Sequence, residues 1–180
     1  AGASWDVETM FNWGAAMGKE FYNKGANVQL GPGVCVARIP RNGRNFEYLS
    51  GEDPYLGYKL VQPTVQGIQN QGVVANVKHF VNNNQETNRG SVSENVDERT
   101  RFEMYYPRFQ GGVEASVGSM MCSYIKIKHV YSCENPETLA NDLKQIMGFQ
   151  GYVMSHCVDT HSLSIDKGLD QEMPFNKFFN

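Results

Sequence analysis

This chain of 180 residues has no uninterrupted apolar run of about 18 residues, so no segment is expected to span a membrane. Its amino end lacks the basic, apolar, small-residue order of a secretory leader, and none is expected in these residues. Cysteine is scarce: Cys35, Cys122, Cys133 and Cys157 are too few and too scattered for a disulfide scaffold. Basic charge is scarce too. The net charge is −3 and no basic cluster exists beyond Arg38 to Arg44, so a nucleic-acid surface, which needs a dense Lys/Arg face against phosphates, is not expected. Asn-x-Ser/Thr sequons, internal repeats and low-complexity tracts are likewise missing. With 41% hydrophobic residues, the composition is that of one globular domain, residues 1–180, with room for a sizeable core.

Helix, then glycine, then strand is the pattern that is present. In "NPETLANDLKQIMG" Asn135 offers a cap, Pro136 a first helical position, Leu139, Leu143, Ile146 and Met147 an apolar face, and Gly148 a stop before the strand "YVM". Asp53, Pro54 and Gly72 frame a second helix that leads into "VVANVKHF". An amphipathic helix is expected over 4–24, through Trp5, Met10, Trp13, Met17 and Phe21, ahead of "NVQLGPG". A fourth, from about Asp97 to Ala115, precedes "VGSMMCSY". Strands that follow helices at short intervals, without clean polar alternation, imply a parallel sheet covered by helices, an α/β fold. "KGLDQEMP" reads as a fifth strand end, and "NNNQETNRGSVSENVDERT" as a long loop over one end of the sheet.

In parallel α/β folds chemistry gathers at strand tips. Here the tips carry Lys78 and His79, Ser123 and Tyr124, Ser155 and His156, and Asp170 with Glu172. Such convergent donors and acceptors suit a polyhydroxylated ligand, whose hydroxyls each need a partner once desolvated. Each residue also has a plainer reading. Lys78 and His79 read as a surface lysine beside a bonded core histidine, Tyr124 as a core cap, and Arg44 as a solvated loop residue. Asp170 and Glu172, two apart, read equally as a carboxylate pair on one face of a strand or as caps.

No metal or cofactor is expected. His156, Cys157 and His161, with Cys122, His129 and Cys133, match no zinc spacing. Cys157 beside a histidine fits a nucleophile pair only loosely, without an oxyanion signature.

Read together, "GRNFEYLSGEDP", "NVKHFVNNNQETNR", "MMCSY", "SCENPETL", "GFQGYVMS" and "GLDQEMP" resemble glycoside hydrolase family 3, the β-glucosidase group, in order and spacing over essentially the whole chain. The resemblance implies part of a (β/α)8-type barrel acting on a β-glucoside or oligosaccharide with retention of configuration. Retention uses two carboxyl groups about 5 Å apart. It also implies that Arg44, Lys78, His79, Arg89 and Tyr124 line the sugar subsite and that Met121 stands at a pocket-wall position. Many such relatives are secreted.

The family's strand tip Ser-Asp-Trp, with the aspartate as nucleophile, corresponds here to Ser155, His156 and Cys157. The nucleophile position is therefore substituted by His156. An imidazole brings no negative charge to an oxocarbenium-like transition state, so ordinary hydrolysis is expected to fail. Asp159 is the nearest carboxylate along the chain. Ile125, Lys128 and His129 replace the family's Asn, Asn and Gly, and Phe175 follows "GLDQEMP" where Gly is usual. A full barrel takes about 250 residues. The remaining strands, the early-strand aspartate that grips the sugar and a second domain with the acid/base glutamate are thus expected in a longer protein.

Overall fold

The structure, a computed structural model, describes residues 1–49 and 51–179. Four parallel strands form its sheet: β1 (Val28–Gln29), β2 (Val74–Phe80), β4 (Ser119–Cys122) and β7 (Tyr152–Met154), in the spatial order β1-β2-β4-β7. Sequential strands lying side by side, each reached through a helix, form the incomplete (β/α)8-type barrel that the strand pattern implies. Register is set by Val28 beside Val74, Asn76 beside Ser119 and Met120 beside Val153. All four residues of β4 are buried, as expected of a strand covered on both faces.

The helices begin where local chemistry allows. Asp6 caps α1 (Val7–Asn23) by accepting from the Thr9 backbone N–H at 2.8 Å. Asp53 caps α2 (Pro54–Gln69) through the N–H groups of Tyr55 and Leu56, and α2 continues unbroken through Pro63. The expected helix from Asp97 is three pieces: α3 (Glu98–Thr100), the wide-turned segment Arg101–Tyr105, and α4 (Pro107–Glu114). Asn135 Oδ1 accepts from the N–H groups of Glu137 and Thr138 at the head of α5 (Glu137–Ile146), which is wound with wide π-type turns. Gly72 (φ 79°) and Gly148 (φ 74°) end their helices in the left-handed region.

The seam between α1 and α2 rests on small residues: a methyl group on Gly67 would lie 2.3 Å from the Phe11 carbonyl oxygen. The face that α1 buries is Met10, Gly14 and Gly18, and Trp5 and Trp13 lie outside it, 75% and 38% exposed. This corrects the tryptophan stripe expected from the sequence. Backbone closeness takes the place of large side chains there. Behind the sheet, Val65, Ile68, Phe109, Leu139 and Leu143 pack on Val77, Phe80, Met120 and Val153. A fully buried side chain of this size contributes about 1.5–3 kcal/mol.

Two loop expectations change. The polar stretch after β2 contains β3 (Ser93–Glu94), which pairs with β5 (Lys126–Ile127), itself joined antiparallel to β6 (Val130–Tyr131). The "KGLDQEMP" segment contributes one bridge, Gln171 beside Met154, instead of a strand. Cys122 and Cys133 form a disulfide, a pairing that their separation of 11 residues did not announce.

Candidate functional site at the carboxyl ends of the strands

β2, β4 and β7 end side by side and deliver His79, Tyr124 and His156 to one place. The pairing of β2 with β4 slips between Lys78 and Phe80, an irregularity centred on His79, and such slips re-aim side chains. His79 is fully buried. Its Nε2 lies 3.3 Å from Arg44 Nη2 and its Nδ1 3.2 Å from Tyr48 Oη. A guanidinium only donates, so Nε2 accepts and Nδ1 carries the hydrogen, which it donates to Tyr48. Asn83 Nδ2 also donates to that phenol, at 3.1 Å. Burial first, and then the charge of Arg44, holds His79 well below the usual histidine range, so the ring is neutral.

His156 stacks on His79, with centroids 4.8 Å apart, and on Tyr124, at 3.7 Å. The guanidinium of Arg89 lies 4.2 Å from the Tyr124 ring centroid. The Cys157 backbone N–H donates to His156 Nδ1 at 2.8 Å. Burial, followed by Arg44, Lys78 and Arg89, pushes His156 down to about 3. Burial raises the phenols of Tyr124 and Tyr48 above the usual tyrosine value.

Each cation has a carboxylate. Arg44 pairs with Glu47, Arg89 pairs with Glu86, and Lys78 Nζ sits 3.9 Å from Glu47 Oε2. Burial lowers the ammonium of Lys78 while Glu47 opposes it. For Arg44, burial works against the charge and Glu47 more than offsets it. Glu47, Tyr48, Asn83 and Glu86 carried no role in the sequence reading. Glu47 and Tyr48 lie three and four residues after Arg44 in "GRNFEYLSGEDP", a spacing that on a tight loop returns to the same place.

Of the expected site residues, Arg44, Lys78, His79, Arg89, Tyr124 and His156 therefore come together. Met121 is buried within β4, in the row Lys78, Met121, Met154 across three strands. Asp170 and Glu172 are not a carboxylate pair. Asp170 binds Lys144 Nζ and the Val153 N–H, each at 2.7 Å, whereas Glu172 accepts from the N–H groups of Phe178 and Phe179. Both are structural anchors. The Cys157–histidine pair also fails: His156 Nδ1 is taken by backbone, and the Cys157 thiol is exposed. Among the described residues no group of three His, Cys, Asp or Glu side chains is placed to hold a metal ion.

Asp159 turns away from His156. Its backbone N–H donates to the His156 carbonyl at 3.1 Å, while its nearly buried carboxyl meets His161 Nε2 at 3.2 Å. The His161 ring stacks on Tyr131 at 3.6 Å. Burial, with Glu134 nearby, pushes the Asp159 carboxyl up to about 8.

Fold and site together define a barrel-type α/β protein whose polar side chains converge where the parallel strands end. The chain belongs to glycosyl hydrolase family 3, matching the N-terminal domain of that family over residues 1–173. It is similar to the probable beta-glucosidase L of Aspergillus terreus, 45% identical over 181 residues, which covers 99% of the chain and 24% of the relative. Similarity to the probable beta-glucosidase G of Emericella nidulans is 43% over 192 residues, with 97% and 23% covered. Among solved structures, DesR, a beta-glucosidase from Streptomyces venezuelae in complex with D-glucose, superposes with a TM-score of 0.93 at 39% identity, covering 96% of this chain and 22% of that one. Beta-glucosidase 3B from Thermotoga neapolitana in complex with glucose gives 0.93 at 38%, covering 96% and 24%. The chain thus spans about a quarter of the length of the relatives it matches.

Proposed function

We propose that residues 1–180 are part of the catalytic barrel of a β-glucosidase-type hydrolase and carry its sugar-gripping groups. Arg44, Lys78, His79, Arg89 and Tyr124 hold glycone hydroxyls, Met121 walls the pocket, and His156 stands in the attacking position. The observation that carries this reading is the convergence of Arg44 and His156 on His79, with Tyr124 stacked on His156, from four separate stretches of chain. Membership of a family whose similar members are named beta-glucosidases, two of them solved with glucose, supports the substrate class. The rest of the barrel and a second domain, with the acid/base carboxyl, belong to the longer protein.

The family reaction is retaining hydrolysis of terminal β-glucosidic bonds, which needs a carboxylate to form the glycosyl-enzyme. His156 is a neutral imidazole clamped between two rings, and it offers no anion to the developing positive charge. His156 therefore favours a sugar-binding relative without turnover over an active hydrolase. The test is an aryl β-glucoside assay on the full-length protein carrying these residues, beside calorimetry with glucose. Wild type should bind glucose without hydrolysing the glucoside, and His156→Asp should gain turnover. Wild-type turnover unaffected by Lys78→Ala would overturn the site assignment, and no glucose binding to either protein would leave a structural remnant.

A further inference from the structure

His79 is the residue at which the pairing of β2 with β4 slips, and a side chain holds its main chain there. The flanking residues stay bonded backbone to backbone. Lys78 donates to the Pro32 carbonyl at 3.1 Å and accepts from the Val34 N–H at 2.7 Å, while the Phe80 carbonyl accepts from the Ser123 N–H at 3.0 Å. At His79 the partner is the Cys35 thiol: the His79 N–H donates to Sγ, and the Sγ–H donates to the His79 carbonyl, both at 3.3 Å. A thiol can do both, being a weak donor and a weak acceptor. Burial pushes the Cys35 thiol up, so it keeps the hydrogen that it donates.

Cys35 is itself firmly placed. Its neighbour Val34 is fixed on both sides, donating to the Lys78 carbonyl and accepting from Arg108 Nη1 at 3.3 Å. Arg108, fully buried, also donates to the Gly51 carbonyl at 2.9 Å, and so ties Val34 to the far end of the segment that carries Arg44 and Tyr48. Cys35 and His79 are both buried by residues of this chain, so the contact between them is complete within it. It lies directly behind the site, because the His79 ring bonds to Arg44 and Tyr48 and stacks on His156.

We propose that Cys35 is a positioning residue of the sugar site: its thiol clamps the His79 main chain at both N–H and carbonyl, and so fixes where the imidazole points. The proposal rests on the sugar-binding reading above. A slip in a sheet takes a residue out of the regular ladder, and the direction of its side chain then follows whatever pins its backbone. The ring that meets Arg44, Tyr48 and His156 is therefore aimed by a thiol 44 residues earlier in the chain. Supports of this kind set the precision of a site, because a shift of about 1 Å in a gripping group is enough to degrade it.

Glucose calorimetry, urea unfolding and nitrogen NMR of labelled histidine, which reads the tautomer of His79, test it on the full-length protein carrying these residues. Wild type should show the His79 hydrogen on Nδ1. Cys35→Ala and Cys35→Val both remove the clamp, the second while keeping the volume filled. Each should weaken glucose binding about tenfold and turn His79 into a mixture of its two tautomers. Cys35→Ser, whose hydroxyl again donates and accepts, should return the single tautomer and an affinity within about threefold of wild type. A thiol that only fills space predicts otherwise: lower stability in Cys35→Ala with glucose affinity and tautomer unchanged, or a Cys35→Ser as impaired as Cys35→Val. Either outcome overturns the proposal and leaves the sugar site standing. No glucose binding by wild type would overturn the sugar-site reading, and the histidine spectra alone would then decide whether Cys35 aims His79.

Discussion

The imidazole of His156 lies 3.7 Å from the Tyr124 ring and 4.8 Å from His79, filling the space between residues delivered by two other strands. The position expected to attack a sugar is thus held by a ring that neither moves freely nor carries charge. Its neighbours are fixed in turn: His79 by Arg44 and Tyr48, and Tyr124 by Arg89. The site is a run of mutually supporting contacts, and its parts fail together.

Tyr48→Phe deletes the acceptor for both His79 Nδ1–H and Asn83 Nδ2–H. Two buried donors would be orphaned, so urea unfolding should show a loss of about 1–3 kcal/mol. A loss below about 0.5 kcal/mol, the level of an ordinary surface change, would show that these bonds do not hold His79.

The pH dependence of stability should carry two opposed slopes. Asp159 is raised from 3.8 to about 8 in the folded protein. Between those values the native state keeps a proton that the unfolded chain has released, so stability falls as pH rises. His156 is lowered from 6.5 to about 3, so in that window the unfolded chain binds the extra proton and stability rises with pH. Between pH 6.5 and 8 only the first of these two operates. Asp159→Asn should flatten the melting-temperature profile in that interval. An unchanged fall there would assign it to another group.

Cys122→Ser with Cys133→Ser opens the loop that contains Tyr124 and the β5–β6 hairpin. Chain entropy for a loop of this size predicts a loss of about 3 kcal/mol. Glucose affinity should fall too, since Tyr124 sits inside the opened loop. Dithiothreitol should reproduce both effects in the wild type, and equal melting with and without it would count against them.

Asp170→Ala removes the acceptor for the Val153 N–H and the partner of Lys144. Stability should fall by about 1–3 kcal/mol, because a backbone donor at the edge of β7 is left unpaired. Sugar affinity should stay as in the wild type. A selective loss of binding at unchanged stability would restore Asp170 to the site.

Some of this architecture could be read residue by residue. Asp53 with Pro54, Asn135 with its following turn, and the glycines at 72 and 148 act within a few residues of themselves, and the helices begin and stop where those signals stand. The expected grouping of Arg44, Lys78, His79, Arg89 and Tyr124 around position 156 rested on likeness to a family, and the side chains do come together. Asp170 and Glu172 misled because alternation says which face a side chain takes and not what waits there. Trp5 and Trp13 misled because the helix seam is made by glycines that let two backbones approach.

By itself the sequence determined the alternation of helix and strand and the caps, since each is a property of neighbouring residues; the substitution at position 156 was legible only through likeness to the family. Only the tertiary structure decided that Cys122 meets Cys133, that Glu47 serves both Arg44 and Lys78, and that His156 is wedged between Tyr124 and His79 with one nitrogen unpaired among the described residues. Those relationships join residues that the chain separates by 11 positions or more, or depend on burial. Desolvation and contact across the sheet are produced by packing, which no local pattern encodes.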